Sequence, residues 1–427
     1  MLRFGSQLSK VLLLACLAAA PSLWARDFIV VQTIPVGEYP ERAVLTPDGK
    51  ELYVANRNSG TVSVIDTSTQ QVSKTIPVGP SPHAMVVRHD GSAIYVLVEG
   101  ALVVIRTSDK AAQSYELDNR NDDLALTPDD RTLYISRVYS GVARVDTATM
   151  HMDLAISTLC PIGLEMDPTG KRLYVSYQCA GPGGRPGHDA IGVYTLPSLE
   201  EIGVIAGPPN VGGQVLLSPD GKQLWVNGID ACSQPAYDHE GCPLVPGRAV
   251  NVIDTADLRL KKTLIFSLDQ GNGQMSFSPE GEAFVGGGLN LKMVSENDLD
   301  TVQEMDIAAA GSVVFLRDGK TAFVTMGDKN AVAVLVEWRD PNQAADRGVA
   351  SLSLCSVLAM LQAGCQLSGT MGRVDDKRIV SLIEERKIGF ALTPESEKQL
   401  AQADKSGVVM NAVVNRYLLS LTQSKRP

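Results

Sequence analysis

The chain has 427 residues, 44% hydrophobic, 5% aromatic and 20% charged, which is enough apolar content for a large core and excludes a wholly disordered chain. The net charge is −10 and the basic residues are scattered. Nucleic acid is therefore not an expected partner, because neutralising phosphates takes a clustered Lys/Arg surface.

Residues 1–25 read as a secretory signal. Arg3 and Lys10 form a positive start, Val11 to Ala20 an apolar stretch, and Ala25 a cleavage site, with Ala20 as an alternative. Leu13-Leu14-Ala15-Cys16 also fits a lipidation box at Cys16, although the apolar run continues past it. The expected location is thus periplasmic or secreted. Beyond this leader no apolar run approaches the roughly 18 residues a spanning helix needs, so no transmembrane segment is expected in the mature chain. The six other cysteines are an even set in an exported chain, where disulfides are the default. Their spacing suggests the local pairs Cys160–Cys179, Cys232–Cys242 and Cys355–Cys365. A zinc site is the rival reading, and the chain has no Cys-x-x-Cys to support it.

From residue 26 to 338 one pattern repeats. A turn recurs at Pro47-Asp48-Gly49, His89-Asp90-Gly91, Pro128-Asp129-Asp130, Pro168-Thr169-Gly170, Pro219-Asp220-Gly221, Pro279-Glu280-Gly281 and Arg317-Asp318-Gly319. After each comes an apolar–aromatic–apolar triplet, centred on Tyr53, Tyr95, Tyr134, Tyr174, Trp225, Phe284 and Phe323. Asp/Gly turns between apolar alternating runs are hairpin signals. A period of about 40 residues with four short strands is that of a propeller blade. The best-preserved unit, residues 44–79, contains Tyr53-Val54-Ala55-Asn56 and resembles the bacterial YVTN-type β-propeller repeat. The resemblance implies an all-β, seven-bladed propeller and says little about activity, since one propeller serves many functions. Blade 7 has only three strands before Trp338. The segment Phe28 to Val36 matches the fourth-strand pattern of Thr75-Ile76-Pro77-Val78, so this N-terminal strand is expected to complete blade 7 and close the ring.

The Asp/Gly turns join the first and second strands of each blade and mark one face as short and regular. Insertions after Tyr177 in blade 4 and after Val226 in blade 5 fall between second and third strands. They should form a lip on the opposite face, and long ordered loops are often functional. Counting back from each turn aligns the starts of the innermost strands. Blades 1 to 3 carry Glu41, Arg42, His83, Asp122 and Asp123 there, with Gln214 and Gln274 in blades 5 and 6. These residues, with Arg120, His188 and His239 from the neighbouring loops, are the candidate ligand-binding set. His89 takes the place of the turn proline and reads as a surface residue. No spacing among His83, His188 and His239 enforces a metal site, and no cofactor-binding fingerprint is present, so neither metal nor cofactor is expected.

After Trp338, residues 339–372 read as a linker with a short helix around Leu354, Leu358 and Leu361, and 373–427 as a small helical module. Thr393-Pro394-Glu395 supplies a helix start there. The expected function is a binding scaffold, probed through the loop-rich face and working as a monomer on a protein, glycan or small ligand of the cell envelope. Two alternatives remain. One is a lactonase-like hydrolase using Glu41, His83 or Asp122 to activate water. The other is an accessory of a periplasmic redox system, which the absence of a Cys-x-x-Cys-His haem motif from the sequence disfavours.

Overall fold

The computed structural model describes residues 27–338 apart from 118–120, 159, 178–189, 207–212, 230–247, 267–273, 288–289, 297–298, 300 and 306, together with residue 413. The leader and, apart from residue 413, the C-terminal unit lie outside the described residues, as do Arg120, Cys179, His188, Cys232, His239, Cys242, Cys355 and Cys365.

Seven four-stranded antiparallel sheets follow one another. Blade 1 is built from Pro40–Leu45, Glu51–Asn56, Thr61–Asp66 and Gln71–Pro77, paired in that order. Blades 2 to 6 repeat this order. Blade 7 departs from it as the sequence predicts. Its strands Ala310–Phe315, Thr321–Met326 and Ala331–Trp338 are completed by Asp27–Pro35, which pairs from Asp27↔Trp338 to Pro35↔Ala331. The ring is thus closed by hydrogen bonds between the two ends of the propeller sequence, which give blade 7 the outer fourth strand that every other blade has.

The turn sequence works through one residue. Gly49, Gly91, Gly170, Gly221, Gly281 and Gly319 all have positive φ, which glycine reaches without a Cβ penalty. Blade 3 has Asp130 there, at φ 60. Its carboxylate crosses to the preceding blade's turn, accepting the His89 N–H at 2.9 Å and the Asp90 N–H at 3.1 Å and meeting His89 Nδ1 at 2.7 Å. His89 is exposed, as expected, yet it is tied to this neighbour.

The seven aromatics do the same job at seven places. Each is buried in the seam with the next blade. Tyr53 packs with Ile94 and Val96, Tyr95 with Leu124 and Leu133, Tyr134 with Leu164 and Leu173, and Tyr174 with Val215 and Leu224. Trp225 packs with Met275 and Ala283, and Phe284 with Ala322 and Val324. Phe323 of blade 7 then packs with Leu52 and Val54 of blade 1, so the last seam is made like the first six. Large rings suit this place because each buries 150–250 Å² or so against a flat sheet face.

Candidate functional site

Backbone hydrogen bonds separate the two faces of the ring. On one, the turn between first and second strands is stitched to the turn between third and fourth, as in Thr67 N–H to Lys50 O and Thr255 N–H to Lys222 O. A threonine hydroxyl repeats the stitch: Thr67, Thr107, Thr147 and Thr255 donate to the carbonyls of Gly49, Gly91, Asp130 and Gly221 at 2.6–2.8 Å. On the other face, the loop between second and third strands is held to the start of the first strand, as in Arg57 N–H to Tyr39 O at 2.9 Å and Cys160 N–H to Val138 O at 2.8 Å. The insertions of blades 4 and 5 connect Tyr177 to Ala190 and Ile229 to Arg248, so they leave and rejoin the ring on this second face, although they themselves are outside the described residues. Cys160, on the same face, is disulfide-bonded.

The turn face carries a concavity of about 740 Å³ where blades 7, 1 and 2 meet, lined by Lys50, Glu51, Asp66, Lys110 and Arg317 among others. Its inner cation is already engaged, since Lys110 Nζ lies 2.6 Å from Glu51 Oε2. The loop face has a far smaller cleft, of about 20 Å³, between Tyr39, Glu41, Gly287 and Gly311.

The candidate residues stand at the inner strands on the loop-face side, and most of their polar atoms serve the ring itself. Glu41 is buried and accepts from Arg57 at 2.9 Å, while its backbone carbonyl accepts from Thr325 of blade 7 at 3.2 Å. His83 of blade 2 has both ring nitrogens against carbonyl oxygens, Ser81 at 2.7 Å and Asn121 of blade 3 at 2.8 Å, so the ring presents neither nitrogen to a substrate. Asp123 accepts the Leu124 N–H and, across the seam, the Leu164 N–H of blade 4, both at 3.0 Å. Gln214 of blade 5 brackets Met275 of blade 6, accepting its N–H at 2.8 Å and donating to its carbonyl at 3.1 Å. Gln274 accepts from Ser312 of blade 7 at 3.0 Å. Asp122 stands next to Asp123, half-buried. These contacts satisfy the inner strands' free backbone groups, which face no further strand.

Sequence reasoning missed several members of this system. Ser136, Ser176 and Thr325 each follow the aromatic triplet by one residue, and each hydroxyl reaches a carbonyl of the next blade, at Ile162, Gly213 and Glu41. A hydroxyl at that fixed offset was the available signal. The other is Glu165 of blade 4, whose Oε1 accepts the Leu217 N–H of blade 5 at 3.1 Å. Enclosure pushes its carboxyl up to about 8, and the backbone bond, the nearby Asp123 and the opposing Arg42 matter less. Enclosure also raises Asp123, against the pull of Arg42, the two backbone N–H groups and His83.

Arg42 differs from all of these. It is half-buried, and its Nε is shut off from solvent with no hydrogen-bond partner among the described residues. Its charge is felt at both Asp123 and Glu165, so blades 1, 3 and 4 contribute to one electrostatic cluster. Among the described residues no group of three His, Cys, Asp or Glu side chains forms a metal cage.

No family model matches the chain, and neither does any curated protein. Solved structures do. The chain is similar to Kuenenia stuttgartiensis hydrazine synthase, with a TM-score of 0.59 and 20% identity over 70% of this chain and 96% of that one. The likeness is one of fold. Together with the seven sheets it places the chain among β-propellers, and it carries no activity across.

Proposed function

We propose that the protein is an exported β-propeller that works as a binding scaffold through the loop-rich face of its ring. One observation supports this over the hydrolase reading. Two of the three acid–base candidates, Glu41 and His83, are occupied with holding blades and loops together. A general base must reach the proton it removes, and His83 faces two carbonyls instead.

In this reading the lip of blades 4 and 5 frames the ligand, with Cys160 paired to Cys179 and Cys232 to Cys242 to hold it; His188 and His239 contribute from its loops and Arg120 from the entry to blade 3. The occupant is a protein, glycan or small ligand of the cell envelope. The test takes the full chain through a ligand panel by thermal shift and through lactone hydrolysis side by side. Saturable stabilisation without turnover is the expected result. Turnover that disappears in the His83→Ala variant overturns it in favour of the hydrolase.

A further inference from the structure

The concavity on the turn face, about 740 Å³ between blades 7, 1 and 2, lies where the chain leaves the ring. The third strand of blade 7 pairs Val336 with Thr321, and the Glu337 N–H then donates to the Lys320 carbonyl. The strand therefore ends at Trp338 beside the turn that carries Arg317, one of the residues lining the concavity. Residues 339–427 continue from that point.

The walls belong together, and most of their charges are spent. Leu316 of blade 7 lies 3.7 Å from where a Cβ on Gly49 of blade 1 would stand, and Pro47 of blade 1 lies 3.3 Å from where one on Gly91 of blade 2 would stand. Lys110 is paired with Glu51, Lys50 with Asp48, and Asp90 with Arg88. That leaves Arg317 and Asp66. Arg317 is exposed and has no ion pair or hydrogen bond among the described residues. Asp66 gathers the Ser68 and Thr69 donors on Oδ1 alone, so its Oδ2 stays without a donor among the described residues.

We propose that this concavity is the docking site of the chain's own tail, and that residues 339–350 lie across it and cover the turn face. The tail starts on the right face and at the right blade. Its first charges are Arg339-Asp340 and then Asp346-Arg347, both signs, as the concavity offers both. Asp340 is two residues past the end of the strand and meets Arg317; Arg347 reaches Asp66 of blade 1. Seven extended residues span about 23 Å, and neighbouring sheets pack about 10 Å apart, so the step from blade 7 to blade 1 is well within reach. Each exposed ion pair is worth only about fivefold or less. A short tether supplies the rest, because it holds the segment at an effective concentration of about millimolar. The loop face stays open for the ligand of the scaffold reading, which does not depend on this inference.

The experiment places the photo-cross-linking residue p-benzoylphenylalanine in the full chain at position 108, in place of Ser108 on the blade 2 side of the concavity. A second protein carries it in place of Ala256, which holds the same place in the corresponding turn of blade 5. Cross-links are mapped by peptide mass spectrometry. Position 108 should link to residues 339–350 of the same chain, and position 256 at less than a tenth of that yield. Arg317→Glu should lower the yield from position 108 at least threefold, and Asp340→Arg in the same chain should restore it. Arg317 is exposed, so neither change touches the core. Links to 339–350 that are absent from position 108, or as frequent from position 256, overturn the proposal. So does a loss in Arg317→Glu that the charge swap fails to restore. Links from position 108 that join two chains instead of one overturn it in favour of a second copy as the occupant.

Discussion

Replacing Glu165 with glutamine keeps the acceptor for the Leu217 N–H and removes the titration, so its effect on stability should depend on pH. In the folded ring the carboxyl is raised from its ordinary 4.5 to about 8. Below pH 4.5 the proton is present in folded and unfolded chains alike. Between 4.5 and about 8 the unfolded chain releases it and the folded chain does not, so wild-type stability falls as pH rises; above about 8 this loss is complete. Each tenfold change in proton affinity is worth about 1.4 kcal/mol, which sets a ceiling of about 5 kcal/mol. Solvent in the channel reaches the half-buried side chain and reduces this to about 2–4 kcal/mol. The assay is urea denaturation of both proteins at pH 4, 6 and 9 and one ionic strength. The glutamine variant should gain on wild type by that amount between pH 4 and 9. Parallel stability curves across this range would refute the enclosed, protonated carboxyl.

Phe323→Ala should cost about 3–5 kcal/mol by calorimetry, because it empties the closing seam between blades 7 and 1, whereas Val72→Ala on the exposed outer strand of blade 1 should lie within about 0.5 kcal/mol of wild type. Asp130→Ala strips the acceptor from two backbone N–H groups of the neighbouring turn and should destabilise by about 1–3 kcal/mol in denaturant melts; a change near zero would show that this link between blades 2 and 3 is dispensable.

Much of the ring was legible because its causes are local. A turn needing positive φ selects glycine, and a strand buried on both faces selects the apolar–aromatic–apolar triplet, so both recur at a fixed period. The closing strand was legible for the same reason, since Thr33-Ile34-Pro35-Val36 repeats Thr75-Ile76-Pro77-Val78. Asp130 shows the limit of this logic. It breaks the glycine pattern, and its compensation comes from a turn about 40 residues earlier that only the folded ring brings beside it. The inner residues were located by counting back from the turns, but their partners were not. His83 meets Asn121 and Gln214 meets Met275 across seams, and nothing near either residue in the chain announces that pairing. Glu165 stands two places beyond the aligned positions, where the other blades carry apolar or small residues, so no column of the repeat pointed to it.

The central claim is that the inner polar residues hold the blades together and do not activate water. It is tested most directly by measuring stability and lactone hydrolysis together in wild type, Asp123→Ala and His83→Ala. Asp123→Ala should lower stability by about 1–3 kcal/mol by losing the Leu164 bridge. His83→Ala should lower stability by a similar amount through loss of its contacts to the Ser81 and Asn121 carbonyls, with no turnover in wild type for either variant to lose. Wild-type turnover that His83→Ala abolishes without loss of stability would contradict the account.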